Sequence, residues 1–332
     1  MDNLQNMLFQ QIRQQCKDQP ELVERTADLL GISKDSVYRR VKGETQLLFD
    51  DIVSLAKGFS VSLDDLFFKD QRTILFKGQY LREDEFGLKE MLAEMQTQLL
   101  QVSQLEDVNI IYVSKDIPVF YYFMFPPVAA FKIFVWVKSQ FQFDTWKNQS
   151  FTFSILTPEL EDMATAVAKA YSSIPSVEIL NADNILNDLR QLEYYWETKI
   201  IANPEDLALI YSSLHNMVSH MKAQASAGNK YPVNSDLPGA ELKLFVNDFF
   251  VGDNTLLIGN QAMKMIFLNH SAINFMSTQN RYFVAYNEAF IRNLIRKSTL
   301  ISEVDERTRD RFFHLIQERI RLSEQKTLGQ SI

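Results

Sequence analysis

Between Ala27 and Gly43 the chain reads Ala-Asp-Leu-Leu-Gly-Ile-Ser-Lys-Asp-Ser-Val-Tyr-Arg-Arg-Val-Lys-Gly, and its polar residues are spaced to share one face. If Ser33 opens a helix, its hydroxyl can satisfy an amide of the first turn. Val37 then points inward one turn later. The other face shows Lys34, Asp35, Ser36, Tyr38 and Arg39, all able to form hydrogen bonds. From Lys34 to Lys42 the basic residues Lys34, Arg39, Arg40 and Lys42 face Asp35 alone, a local charge of +3. A cationic helix face of this kind suits recognition of a polyanion.

Residue types that do covalent or metal chemistry are not arranged for it. His215 and His220 are five apart, off the four-residue spacing that puts two ligands on one helix face, and His270 and His314 are isolated. Glu83-Asp84-Glu85 and Asp305-Glu306 read as helix N-terminal charge, not general acids. Phosphate-binding glycine loops, nucleophile elbows, zincin and kinase motifs are all missing, and the chain holds only ten glycines. Cys16 is the single cysteine, so neither a disulfide nor a Cys-based zinc site can be built. The expectation is no catalytic residue, no cofactor, no metal and no enzymatic activity. The aromatic run Phe120-Tyr-Tyr-Phe-Met-Phe125, with Phe131, Phe134 and Trp136, could line an apolar pocket but reads first as core.

The elements that must carry this surface follow from hydrophobic spacing. Leu4, Leu8, Ile12 and Cys16 mark a first helix. Pro20 opens a second, which holds Leu22, Val23, Ala27, Leu29 and Leu30 and stops at Gly31. The third runs over 34–41, and a fourth over about 47–59 with Ile52, Leu55 and Ala56 inward. Ser62 caps a last turn with Asp64 and Asp65 at its positive end. Residues 72–81 read as a linker or short strand. A long helix over 82–105 carries Leu88, Leu92, Met95, Leu99 and Val102 in a short coiled-coil rhythm, suited to packing on a neighbour or to a dimer zipper. A buried strand is expected over 108–113, an aromatic helical region to 137, and helices over 158–172, 182–201 and 204–225. The Ser/Gly/Asn/Pro-rich stretch 225–239 reads as a loop or lobe boundary. Strands follow at 242–250, 255–259 and 263–268, with a candidate fourth at 282–286, and a final helix from Ser302 turns Phe312, Phe313, Ile316 and Ile320 inward.

The segment 27–43 resembles the phage-repressor, Cro-like (XRE-type) helix-turn-helix family. The resemblance extends to Leu66 and Phe67 through Ile52-Val-Ser-Leu-Ala-Lys-Gly-Phe-Ser-Val-Ser-Leu-Asp-Asp-Leu-Phe67, and covers about one fifth of the chain. It implies that the early exposed positions of the third helix, Lys34, Asp35, Tyr38 and Arg39, touch base edges in the major groove. Lys and Arg suit guanine O6 and N7, and Asp can accept from cytosine N4. Ser33 caps the helix, and Ser36 and Thr45 are placed to meet phosphate. Two departures stand out. Arg40 occupies a position usually apolar, which implies an inward face rotated onto Val37 and Val41, with Arg40 and Lys42 left for phosphate or base. Residues 1–70 also hold 9 basic against 12 acidic residues, a net of −3.

At 332 residues, 46% apolar and with a net charge of −8, the chain has material for more than one core and is no indiscriminate coat for nucleic acid. The uncharged stretch 117–131 contains Pro118, Pro126 and Pro127 and is too short to span a membrane. The start, MDNLQNMLFQ, lacks a signal core, so a cytoplasmic location is expected. The fold class expected is multidomain: an all-α helix-turn-helix domain over 1–70, a linker and long helix over 71–105, and a larger α+β regulatory domain over 106–332, with a boundary between lobes near 226–239. The function expected is a sequence-specific transcriptional regulator of double-stranded DNA that works as a homodimer and answers a small-molecule or protein effector, with no membrane partner. A protein-interaction scaffold built on the helical N-terminus, or an enzyme with a DNA tether, are the alternatives.

Overall fold

The computed structural model describes residues 4–13, 15–59, 61, 63, 73–78, 81–83, 87–235, 239–248, 252–271 and 273–329. Within them the chain is mixed helix and sheet, with twelve α-helices and one eight-stranded sheet. It divides into two compact units, Met1–Leu75 and Phe76–Ile332.

The first unit is helical. Helices α1 (Leu4–Arg13), α2 (Gln19–Leu30), α3 (Lys34–Val41) and α4 (Phe49–Gly58) enclose one small core. Leu8, Ile12, Leu22, Val37 and Leu55 are almost fully buried in it, and Val41 and Ile52 pack against its edge. The inward pair Val37 and Val41 is thus the one the sequence suggests. The expected closing turn, with Ser62, Asp64, Asp65, Leu66 and Phe67, lies outside the described residues.

The second unit is built on a sheet of order β1-β7-β6-β5-β2-β3-β4-β8. Its strands are β1 (Lys77–Gly78), β2 (Asn109–Val113), β3 (Ser176–Leu180), β4 (Leu242–Val246), β5 (Thr255–Gly259), β6 (Lys264–Ser271), β7 (Asn274–Thr278) and β8 (Thr299–Leu300). β2, β3 and β4 are parallel neighbours, and β5, β6 and β7 form an antiparallel meander on the other side of β2. The parallel strands need long crossovers. These are supplied by α6 (Val119–Tyr122), α7 (Pro126–Val135) and α8 (Pro158–Ser172) between β2 and β3, and by α9 (Leu186–Glu197) and α10 (Pro204–Ala227) between β3 and β4. The loop expected near 226–239 as a lobe boundary therefore joins α10 to a strand of the same sheet.

Strand alternation gives the sheet two different faces. Ile110, Tyr112, Leu180, Leu242, Leu244, Leu256 and Ile258 look into the larger core, shared with α5 (Leu88–Ser103) and α6 to α10. The aromatic run belongs here as core. Phe120 stacks on Tyr171 at 3.9 Å, and Phe131 and Phe134 meet Phe151 and Tyr195 edge to face. Val113, Ile179, Leu257 and Ile266 look the other way, onto Val284 and Ile291 of α11 (Arg281–Arg296).

Two local expectations change, and one strand is added that the sequence does not announce. Residues 282–286 are helix, because Asn280 caps α11 by accepting from the Phe283 amide at 3.1 Å and Val284 and Ile291 share its inward stripe. Residues 176–180 form β3, in the middle of the sheet. The long helix begins at Leu88, and its apolar stripe is spent within the chain, with Met91, Leu92 and Leu99 buried in the larger core. The final helix, α12 (Glu306–Leu328), turns Phe312, Phe313, Ile316 and Ile320 inward as expected. Among the described residues no helix is long and apolar enough to cross a membrane.

β3 also carries a charge into the interior. Glu178 is fully buried and accepts from the hydroxyls of Tyr171 at 2.6 Å and Tyr121 at 3.0 Å. Lys230, equally buried, lies over the Tyr171 ring at 3.5 Å and donates to the Tyr171 carbonyl at 2.8 Å. Burial lowers the Lys230 ammonium to about 7, against the pull of Glu178, and raises the Glu178 carboxyl.

Candidate nucleic-acid interface

The surface carried by α3 is fixed from both ends. Asp18 caps α2 by accepting from the Glu21 amide at 2.9 Å. α2 closes at Gly31 with φ 63° and ψ 34°, and the Ile32 amide returns to the Ala27 carbonyl at 3.1 Å. A Cβ built at Gly31 would meet nothing within 4 Å. Glycine is favoured there by the left-handed backbone and not by crowding. Two residues later Ser33 Oγ accepts from the Ser36 amide at 3.3 Å and starts α3. Val37, with no exposure, anchors the helix inward.

With Val37 fixed, the direction of every other side chain follows. Ser33, Lys34, Asp35, Tyr38, Arg39 and Lys42 are exposed, Tyr38 to 42%. Lys34 and Tyr38 stand one above the other at four-residue spacing, as do Asp35 and Arg39. Lys34 Nζ meets Glu24 Oε1 of α2 at 3.0 Å, an ion pair open to solvent on both sides. Ser36 is half-buried and accepts a hydrogen bond from Ser33 Oγ at 3.0 Å, so its hydroxyl serves the cap.

Arg40 differs from its sequence-based role. Its side chain is 17% exposed and turns toward α4, with Nε 3.8 Å from Asp51 Oδ2 and Nη1 donating to the Ser36 carbonyl at 3.4 Å. These contacts tie it to the fold, because the inward rotation that packs Val41 against the core also carries Arg40 toward α4. Thr45 is half-buried, in a loop whose Glu44 and Thr45 amides return to the Arg39 carbonyl at 2.9 and 3.4 Å.

Two residues that position this face carry little signal in the sequence. Gln5, buried in α1, donates from Nε2 to the carbonyls of Arg40 at 2.6 Å and Thr45 at 2.8 Å, and accepts from the Leu47 amide at 2.9 Å. One carboxamide thus satisfies three backbone groups of the α3–α4 connection. The only hint is a polar residue between Leu4 and Leu8. Glu24 is the second, visible only once α2 and α3 are laid together.

What results is a rigid, capped helix whose solvent face holds Lys34, Tyr38, Arg39 and Lys42 with one acid, Asp35. It offers charge and directional donors but no nucleophile or base poised against a substrate. Among the described residues no cluster of three His, Cys, Asp or Glu side chains is placed to hold a metal. His220 is occupied by the Tyr231 carbonyl at 3.0 Å, and His215 by Gln317. No protein-family model, no curated protein and no solved structure matches the chain.

Proposed function

We propose that α2 and α3 form a helix-turn-helix of the Cro-like kind, that α3 enters the major groove of double-stranded DNA, and that the chain is a sequence-specific transcriptional regulator of the cytoplasm. The observation that carries this reading is the outward presentation of Lys34, Asp35, Tyr38 and Arg39 on a helix held by Gly31, Ser33 and Val37. Long polar side chains on a rigid helix are what base-edge recognition requires. Ser33, Ser36 and Thr45 shape the ends of the reader, and Lys42 meets the phosphate backbone. Arg40 keeps the helix seated on α4.

One unit of this size makes few base contacts, so specificity calls for two chains on paired half-sites. The larger unit is then the region that holds two copies together or senses a signal. Selection of bound duplexes from a random pool by the purified full chain tests the reading. A recovered motif with two-fold symmetry is the expected result. A pool that stays random at moderate salt, or light scattering that finds one chain both free and on the selected duplex, removes the sequence reader or the dimer respectively.

A further inference from the structure

β2, β3 and β4 end on the same edge of the sheet, where the antiparallel β5 begins. Crevices beyond the carboxyl ends of parallel strands are where open α/β sheets take small ligands. A cavity of about 560 Å³ opens at this edge, inside the range of roughly 300–1,000 Å³ typical of ligand sites.

Its floor is a buried ion pair. Lys132 Nζ donates to Asp188 Oδ1 at 2.6 Å and to Gln191 Oε1 at 2.9 Å, and the Tyr122 hydroxyl donates to Asp188 Oδ2 at 2.8 Å. The Lys132 and Asp188 side chains are 5% and 1% exposed. The wall after β2 is set by carboxamides. Asn254 Oδ1 accepts from the Lys115 amide at 2.8 Å, and Asn184 Nδ2 donates to the Ser114 carbonyl at 2.7 Å.

The charges that line the cavity fall into two groups. Lys115 pairs with Asp253 at 2.9 Å, Asp183 with Arg319 at 2.6 Å, and Lys132 with Asp188 beneath it. Asp116 accepts from Asn254 at 3.2 Å and Asn187 at 3.3 Å. Arg190 of α9 and Asp248 after β4 line the same cavity, are exposed, and have no ion pair or hydrogen bond among the described residues. A purely anionic ligand would leave Asp248 facing it unneutralised, and a neutral polyol would leave both charges unmatched. A molecule bearing one charge of each sign meets both.

We infer that this cavity binds a small zwitterion, a free α-amino acid or dipeptide with an apolar side chain. Arg190 takes its carboxylate through the guanidinium fork, and Asp248 takes its ammonium. The side chain lies toward Ile117, Trp136, Ile273 and Phe275, which supply part of the apolar lining. The inference concerns the larger unit alone and stands whether or not α3 reads DNA. On the regulator reading, this ligand is the signal.

Calorimetric titration of the full chain with the twenty amino acids singly, and with Leu-Leu, Phe-Leu and Leu-Phe, tests it, with AMP and glucose as contrasts. Saturable binding is expected for at least one zwitterion with an apolar side chain. Capping either end of that binder, as its N-acetyl or amide form, should weaken it about tenfold or more, as should Arg190→Ala or Asp248→Asn. Arg190→Lys, which keeps the charge and loses the fork, should fall between. Both side chains are exposed and unpartnered among the described residues, so all three variants should melt with the parent protein. No binder in the panel, capped forms binding as well as the parent ligand, indifference to both substitutions, or a preference for AMP or glucose would each overturn the inference. The same titration repeated with a selected duplex reads coupling separately, so failure of the DNA reading leaves the binding result intact.

Discussion

Gln5 Nε2 donates to the Arg40 carbonyl across 2.6 Å, so the first helix holds the end of the helix that carries the charged face. The same side chain reaches the Thr45 carbonyl and the Leu47 amide. A polar group between apolar neighbours thus sets where α3 stops and how its last turn is displayed.

Gln5→Ala should cost on the order of 2–3 kcal/mol, because buried backbone groups that lose a partner also lose their solvation. Urea unfolding gives the size of the loss. Hydrogen exchange should accelerate first at the Leu47 amide, and an unchanged rate there would show that the three bonds do not hold the connection.

Arg39→Ala should cost on the order of 1–3 kcal/mol and relax preference at one base position. Lys42→Ala should weaken all sequences about equally and flatten the salt dependence. Binding isotherms on the selected duplex and its single-base variants, at several salt concentrations, separate the two. Equal losses on every sequence for both variants would mean that α3 does not read bases.

Lys34 is held by Glu24 across an exposed contact, and exposed ion pairs are worth roughly 0–1 kcal/mol. Glu24→Gln should release Lys34 and remove a negative charge beside the reader, so DNA binding should tighten a few-fold with little change in stability. Lys34→Ala should act in the opposite direction. Weaker binding by Glu24→Gln would place Lys34 outside the interface.

The buried Lys230 gives stability a pH dependence of definite sign. Its native value is about 7, against 10.5 in the ordinary state. Between these values the unfolded chain keeps a proton that the native chain has released, so this group makes stability rise with pH. Glu178, raised by burial, acts in the opposite sense at lower pH, where the native state holds the extra proton. Lys230→Met should flatten the rise between pH 7 and 9 in urea titrations. An identical slope in that variant would assign the rise to other groups.

How much of this is legible in the chain alone depends on the range of each interaction. Gly31, Ser33 and Val37 are neighbours in sequence, and their local rules locate α3 without any tertiary information. The contact of Arg40 is not legible from sequence because its partner Asp51 sits on the next helix. β3 is hidden because Ser-Val-Glu-Ile-Leu carries Glu178, and a glutamate in a short run argues for solvent. Here it points inward because Tyr121 and Tyr171, from two different helices, supply its hydrogen bonds. Residues 282–286 carry strand-forming side chains, and the cap at Asn280 overrides that preference. Trp136 belongs to the aromatic run that could line a pocket, but the charged pair of the cavity is invisible in the sequence for a similar reason. Arg190 and Asp248 are brought to one place only by the parallel order of β2, β3 and β4.

That strand order also dictates a timetable for the nascent chain. β2 needs residues 255–259 as its neighbour on one side, and β1 has no partner until 276–277 have left the ribosome. The first 75 residues, closed by short-range contacts, can mature while the rest is still being translated, since loop closure over long separations is slow. A message truncated between β4 and β7 would thus release a finished small helical body tethered to an open-edged sheet, a species that chaperones and proteases must recognise quickly.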